Sequence, residues 1–243
     1  MCRTNDTRPG RREFIGSALG VLSVASSAFT AQLSGTKGTS LTKDERDRMT
    51  PQQVIEELKK GNERFRTGRM IPRDYLGEKR SSASGQFPAA VILSCVDSRV
   101  PVEIVLDTGI GDIFVCRIAG NVSDDDVLGS LEFACAASGA KVVLVMGHTS
   151  CGAIKGAIDG VVMENLTRLL SHINPAIPAT PFHGERSSSN HAFVDAVAQT
   201  NVALTVEEIR HRSATLSDLE KNGTIKIVGA MYNLESGKAD FIA

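Results

Sequence analysis

Two short segments of the sequence combine thiols, an imidazole and a carboxylate, which are groups that bind metal ions. The first is Cys95–Arg99 (Cys-Val-Asp-Ser-Arg), and the second is Gly147–Gly152 (Gly-His-Thr-Ser-Cys-Gly). Zinc suits this mixture because it is a borderline-soft cation that accepts sulfur, nitrogen and oxygen ligands in a tetrahedron. Either segment alone would be a weak signal, since a single cysteine beside an apolar run is more often a buried thiol. Together they predict a metal site.

Each segment directly follows an apolar run that predicts a buried strand. These runs are residues 89–95 and 142–146, and residues 113–117 and 224–230 have the same character. Short apolar runs bounded by turn residues are typical of strands that are buried on both faces. A turn at 234–237 predicts a final strand at the edge of the sheet.

Helical signals alternate with these strands. Thr50 and Gln53 form a capping box around a proline at the first helical position, which predicts a helix over 51–66. A second helix is expected from Ser123 to Gly139, with three aspartates at its positive end. The alternation predicts an α/β fold, with a central, mainly parallel β-sheet flanked by helices and an antiparallel edge strand at the C-terminus.

This fold would bring the two segments together, because the carboxyl ends of parallel strands lie at one edge of the sheet. The ligands come from strand ends rather than from closely paired knuckles, which favours a catalytic zinc site over a structural one. Residues 174–190 contain three prolines and three consecutive serines, and they predict a long loop that is mobile or specific to subunit contacts.

The N-terminus has the layout of an export signal. Arg11 and Arg12 form a twin-arginine pair, an uncharged run extends from Ile15 to Ala31, and small residues suitable for signal cleavage lie at 26–28. We expect export to the periplasm by the twin-arginine route, and an uncleaved membrane anchor is the alternative. The expected organisation is a signal peptide at 1–31, a polar lead-in at 32–49 and a single catalytic domain at 50–243.

Composition excludes several classes of function. The net charge of −1, the absence of Trp and the presence of only two Tyr argue against a nucleic-acid partner. No heptad or longer repeat is present, so a coiled coil or a solenoid is not expected. Beyond the signal there are four cysteines, and an even number in an exported chain leaves a disulfide-stabilised protein open as an alternative. These cysteines are Cys95, Cys116, Cys135 and Cys151.

The two metal-binding segments, with the residues around them, resemble the β-class carbonic anhydrases over residues 50–243. The resemblance implies an enzyme that hydrates carbon dioxide reversibly to bicarbonate and a proton, with one zinc ion per chain. The matching strings are 95–99 and 147–152, the stretches 112–121 and 128–134 between them, and 61–65 and 86–88 upstream.

The resemblance also implies roles for individual residues. Cys95, His148 and Cys151 would be permanent zinc ligands, with Asp97 or a water in the fourth position. Asp97 and Arg99 would form a catalytic dyad that controls this position while zinc-bound hydroxide attacks CO₂.

Two further residues would contact the substrate by the same resemblance. Gln86 would bind substrate across a dimer interface, and the Gly152 backbone N–H would line the same pocket. The assembly expected from the family is a homodimer or a multiple of dimers.

Two other functions are compatible with the same segments. The zinc site could hydrolyse CS₂ or COS instead of hydrating CO₂. It could also belong to a non-catalytic module that binds zinc or bicarbonate, with Asp97 and Arg99 locking the metal in a closed site.

Overall fold

A five-stranded sheet organises residues 36–242, the part of the chain that the computed structural model describes. The strand order is β2-β1-β3-β4-β5; the first four strands are parallel, and β5 pairs with β4 in the antiparallel direction. The predicted α/β class, with its antiparallel edge strand, is therefore confirmed. The strands are β1 (Ala90–Ser94), β2 (Ile113–Arg117), β3 (Val142–His148), β4 (Lys226–Tyr232) and β5 (Ala239–Ile242).

Helices cover both faces of this sheet. A 3₁₀ turn at Ala119–Asn121 follows β2, and a π-helical turn at Phe133–Ala137 extends α5. The helices are α1 (Lys43–Arg48), α2 (Pro51–Arg66), α3 (Tyr75–Ser82), α4 (Val102–Val105), α5 (Asp125–Glu132), α6 (Gly152–Ile158), α7 (Glu164–Ser171), α8 (Ala176–Ala179), α9 (His191–Arg212) and α10 (Ala214–Lys221).

The central strands are buried throughout, as their continuous apolar runs predict. Every residue of β1 and β3 is buried. One face of the sheet packs against α2 and α4, and the other packs against α5, α9 and α10. This double burial holds the carboxyl ends of β1 and β3 rigidly, and both metal-binding segments leave the sheet there.

Helix α2 begins and ends where the sequence predicts, and its capping box forms through Thr50 and Gln53. The strand boundaries differ more. Strand β3 continues two residues beyond the predicted 142–146, so His148 is its last residue, and β4 is displaced by two residues from the predicted 224–230. The helix expected between Ser123 and Gly139 forms as α5 and the π-helical turn that follows it.

Residues 36–49, which we expected to be a polar lead-in outside the domain, pack on it. Lys37 forms an ion pair with Asp112 at 2.8 Å, and the hydroxyl of Ser40 donates to the carbonyl of Ile110 at 2.6 Å. Residues 43–48 form α1. Sequence reasoning did not predict these contacts, because the partners are more than sixty residues apart in the chain.

The segment 174–190 contains the short helix α8 and is otherwise irregular. Arg186 donates to the carbonyl of Thr180 at 3.1 Å, and its guanidinium lies 4.7 Å from the ring centroid of Phe193 on α9. The expected export signal lies outside the described residues. Within residues 36–242, no helix is both long and apolar enough to cross a membrane.

Candidate metal centre

The three predicted metal ligands converge at the carboxyl edge of the sheet. Cys95 follows β1 directly, His148 ends β3 and Cys151 precedes α6. Because β1 and β3 are neighbours, with Ser94 level with Met146, their ends lie side by side. One donor atom from each of the three ligands lies within 4.8 Å of the others, and the two sulfur atoms are 4.0 Å apart. All three side chains are buried.

His148 is oriented as a metal ligand. Its Nδ1 lies 2.9 Å from the carbonyl oxygen of Thr149, which can only accept, so Nδ1 carries the proton and Nε2 presents its lone pair. Nε2 is buried and has no hydrogen-bond partner among the described residues. A buried nitrogen facing two sulfur atoms without a partner fits a metal-binding group, and two thiolates with one imidazole are donors that suit zinc.

The two thiols differ in how readily they lose a proton. Hydrogen bonding with Cys151, aided by His148 and the backbone N–H of Gly120, lowers the pKa of Cys95 well below its usual range against the opposing effect of burial. The Gly120 nitrogen lies 3.4 Å from the Cys95 sulfur. The hydrogen bond with Cys95, together with burial, raises the pKa of Cys151, so Cys151 keeps its proton more readily than Cys95 does. A bound divalent cation would displace this proton, because a coordinating thiol is deprotonated.

Asp97 faces Arg99 beside the ligands. The guanidinium of Arg99 donates from Nη2 to Oδ2 at 2.7 Å and from Nε to Oδ1 at 2.9 Å, and its backbone N–H also donates to Oδ1 at 2.9 Å. This hydrogen bonding holds the pKa of Asp97 well below its usual range, although partial burial opposes it. Oδ2 lies 3.8 Å from Nε2 of His148. The carboxylate is therefore at the edge of the ligand cluster, and both of its oxygens are engaged by Arg99.

Arg117 is a further site residue, and sequence reasoning did not single it out. Its guanidinium donates to the carbonyl oxygens of Cys95 at 2.9 Å and Asp97 at 2.6 Å. It therefore fixes the loop that carries the first ligand and the dyad. Its position as the last residue of β2, next to β1, was the available signal, since the end of a neighbouring strand must lie beside that loop.

The structure places the two expected substrate-binding residues differently. Gly152 is the first residue of α6 and directly follows Cys151. Gln86 lies in an exposed loop before β1, beside Ile110 and Gly111. Gln86 precedes β1 and Cys95 follows it, so the whole strand, about 16 Å long at about 3.3 Å per residue, lies between them in the chain.

The remaining cysteines do not belong to the centre. Burial raises the pKa of Cys135 to about 12 and also raises that of half-buried Cys116, so both are unreactive thiols in the core. All four cysteines of residues 36–242 are free. The structure of residues 36–242 therefore contains no disulfide, whereas the cysteine count had left a disulfide-stabilised protein open as an alternative.

Comparison with known proteins identifies the family. The carbonic anhydrase family profile matches residues 90–239, which include the three ligands, the dyad and Arg117. Carbonic anhydrase 2 of Mycobacterium tuberculosis is 38% identical over 188 residues, covering 75% of this chain and 88% of the relative. The carbonic anhydrase of Mycolicibacterium smegmatis is 35% identical over 189 residues, covering 75% and 89%.

Solved structures agree on the fold. The β-carbonic anhydrase CafA of Aspergillus fumigatus is 25% identical with a TM-score of 0.59, covering 67% of this chain and 79% of that one. One of two tetrameric β-carbonic anhydrases from Sordaria macrospora is 23% identical with a TM-score of 0.58, covering 66% and 83%. With the cluster of two thiols and one imidazole, these matches show that the chain belongs to the β-carbonic anhydrase family, the zinc enzymes that interconvert CO₂ and bicarbonate.

Proposed function

We propose that this chain hydrates CO₂ with Asp97 and Arg99 as its catalytic dyad and with Zn²⁺ held by Cys95, His148 and Cys151. One observation carries the proposal. Arg99 donates hydrogen bonds to both carboxylate oxygens of Asp97, and Oδ2 lies 3.8 Å from Nε2 of His148. A carboxylate held there would be able to accept a hydrogen bond from a water beside the three ligands once the metal is bound.

When bound, the metal would supply Lewis acidity, which strongly lowers the pKa of a water that it holds, to about 7 in carbonic anhydrases with three histidine ligands. The chain's own residues supply orientation. Asp97 Oδ2 accepts a hydrogen bond from the attacking water or hydroxide. This contact turns a lone pair of the water or hydroxide oxygen towards CO₂. Asp97 stays ionised because Arg99 lowers its pKa, so it accepts and does not donate at this atom.

Arg99 also decides whether the site is open. A guanidinium binds a carboxylate through two parallel hydrogen bonds, so it competes with the metal for Asp97. We propose that Asp97 turned towards Arg99 is the active arrangement and that Asp97 bound to zinc is a closed one. The forked contact is the first of these two arrangements.

Gln86 completes the pocket in this proposal only from a second copy of the chain. Gln86 precedes β1 whereas Cys95 follows it, which supports a contribution from a partner rather than from the same chain. Strand β2 offers a surface for that partner, because it is an edge strand and the neighbouring Phe133 is 58% exposed while packing on Phe114. The related Sordaria protein is a tetramer, which supports assembly from dimers. The Gly152 backbone N–H lines the same pocket.

We also propose that the chain is exported to the periplasm by the twin-arginine route, with a signal peptide at 1–31. Arg11 and Arg12, followed by the uncharged run to Ala31, support this proposal. Export of an already folded chain suits a metal centre that is loaded in the cytoplasm. Replacing both arginines by lysine should leave the protein inside the cell, and continued export of that variant would contradict the route.

Metal analysis combined with CO₂ hydration tests the function directly. The wild type should contain one zinc per chain and hydrate CO₂, and Cys151→Ala should lose both properties. The same samples should be assayed with CS₂ and COS. Hydrolysis of these sulfur compounds without CO₂ hydration would overturn the proposed substrate, and zinc without turnover at any pH would indicate a binding module.

A further inference from the structure

Helix α9 contacts both loops of the metal centre through polar side chains. Asp195 and Asn201 lie on this helix, more than forty residues along the chain from the loops that they reach. We infer that these two are positioning residues, which hold the three zinc ligands at their mutual distances. The inference rests on the proposed zinc site, but it does not depend on which substrate the enzyme takes.

Asp195 holds the loop between two of the ligands. Ser150 lies between His148 and Cys151, and its backbone N–H donates to Oδ1 of Asp195 at 2.7 Å. Ser150 has a φ of +55°, a left-handed conformation that is unfavourable for a residue with a side chain. Such a conformation persists only when surrounding contacts impose it. A short hydrogen bond to a carboxylate is a contact of this kind.

The other side of this loop is already fixed by the sheet. The Thr149 N–H donates to the carbonyl of Tyr232 at 3.0 Å, and the Thr149 hydroxyl accepts from the Leu234 N–H at 3.0 Å. These contacts anchor the residue after His148, but they do not reach Ser150. Asp195 therefore supplies the hold nearest to Cys151, and its loss should free that ligand more than His148.

Asn201 acts on the remaining ligand. It is 2% exposed, and its Nδ2 donates to the carbonyl of Gly120 at 2.8 Å. The Gly120 N–H in turn points to the sulfur of Cys95 at 3.4 Å. Gly120 has a φ of +71° and, as a glycine, would reorient easily without an external contact. Asn201 therefore keeps the N–H aimed at the Cys95 sulfur.

Both contacts come from one rigid element, so they also set the distance between the loops. Helix α9 packs on β3 and β4 along its buried face, with Val202 and Val206 among the residues in that contact. The helix therefore connects the loop that carries Cys151, through Asp195, with the turn beside Cys95, through Asn201. Substitutions that break either contact should loosen the ligand set while leaving the core of the fold intact.

Zinc release into excess chromophoric chelator tests Asp195 without using activity. Asp195→Ala should release zinc about tenfold faster than the wild type, since outer-shell contacts of this type contribute about 10- to 100-fold to metal affinity or activity. Asp195→Asn should stay close to the wild type, because its amide oxygen still accepts from Ser150. The Co²⁺-substituted Asp195→Ala protein should show altered visible bands, which report the geometry of the ligands.

Two further variants separate positioning from a general effect on the helix. Ser150→Gly should restore slow zinc release in the Asp195→Ala background, because glycine adopts a positive φ without help. Gln199→Ala changes an exposed residue one turn along the same helix and should behave as the wild type. Unchanged release in Asp195→Ala, or no rescue by Ser150→Gly, would overturn the role of Asp195.

Asn201→Ala is compared with Val206→Ala, which removes buried volume from the same helix. Both variants should lower the melting temperature, but only Asn201→Ala should accelerate zinc release and change the Co²⁺ spectrum. Equal release from the two variants would show that Asn201 is merely structural. If Asp195→Ala and Asn201→Ala release zinc as slowly as the wild type does, the positioning role is overturned. If CO₂ hydration is absent in every sample, including the wild type, the proposed function is overturned instead.

Discussion

Asp97 is held on both of its carboxylate oxygens, and this determines how substitutions at Arg99 should act. We expect Arg99→Lys to lower CO₂ hydration at least tenfold, although the positive charge is conserved. An ammonium group cannot make the two parallel hydrogen bonds of a guanidinium, so only the backbone N–H would still hold Oδ1. Asp97 would then be free to turn to the metal and close the site. Stopped-flow hydration assays with a pH indicator measure the loss.

Zinc content distinguishes this effect from damage to the ligands. Arg99→Lys should retain one zinc per chain, because Arg99 does not touch Cys95, His148 or Cys151. Arg66→Lys is a matched control, since Arg66 is an exposed arginine that also forms a forked contact with a carboxylate, that of Glu63. A wild-type rate in Arg99→Lys would show that the fork does not control the site.

The pH dependence of activity should not arise from protonation of the Asp97 carboxylate. Its pKa is lowered in the folded protein, so its ion pair is fully formed above the ordinary carboxyl range and is lost only in strong acid. Because a water held by zinc has a pKa of about 7 when three histidines are the ligands, hydration should rise as the pH passes through neutrality. Rates measured from about pH 5 to 9 check this. A rate that is already maximal at the acid end would contradict the proposed nucleophile.

At the scale of elements, the sequence predicts best what is decided locally. The two central strands, the capped helix α2 and the metal-binding segments all follow from short runs of neighbouring residues. The convergence of Cys95, His148 and Cys151 also follows, because parallel strands place their carboxyl ends at one edge. The contacts of the lead-in at 36–49 could not be predicted, since Lys37 reaches Asp112 across the fold.

Helix α9 is the most consequential element that sequence reasoning did not predict. Its buried face includes Asn201 and Thr205 among apolar residues, and these polar side chains interrupt the hydrophobic pattern that indicates a helix. Asn201 is there because the Gly120 carbonyl needs a donor. The polar residue that we propose supports the metal centre therefore interrupts the apolar pattern from which the helix could have been predicted.

Two helical glycines give a matched test of close packing between elements. A Cβ on Gly61 of α2 would meet the backbone oxygen of Leu106 at 1.9 Å, whereas a Cβ on exposed Gly129 of α5 would meet nothing within 4 Å. Gly61→Ala should lower the free energy of unfolding by about 1–3 kcal/mol, because α2 would have to move from the residues after α4. Gly129→Ala should raise it by about 0.5–1 kcal/mol through helix propensity.

Chemical denaturation of both variants, with zinc bound, measures these changes. Helix propensity alone would stabilise both, so the opposite signs are what the packing argument predicts. Stabilisation by Gly61→Ala would mean that α2 does not lie as close to Leu106 as the structure has it. The Gly61–Phe65 string that resembles the family would then need another explanation.

At the scale of the whole molecule, the metal centre follows the carboxyl end of β1, whereas Gln86, the residue expected to bind substrate, precedes its amino end. We therefore expect Cys151 and Gln86 of one chain to serve different pockets, so that each proposed pocket is shared between two copies. In a symmetric dimer each copy gives its Gln86 and receives the partner's, so the two sites are equivalent.

Mixed dimers test this sharing. Cys151→Ala should be inactive because it lacks a ligand, and Gln86→Ala should be strongly impaired because its pockets lack the amide. When the two variants are unfolded and refolded together with zinc, half of the dimers should be mixed, and each should contain one complete site. Activity should therefore return to about a quarter of the wild-type value per chain. If Gln86 acted within its own chain, or not at all, the mixture would show only the average of the two separate variants.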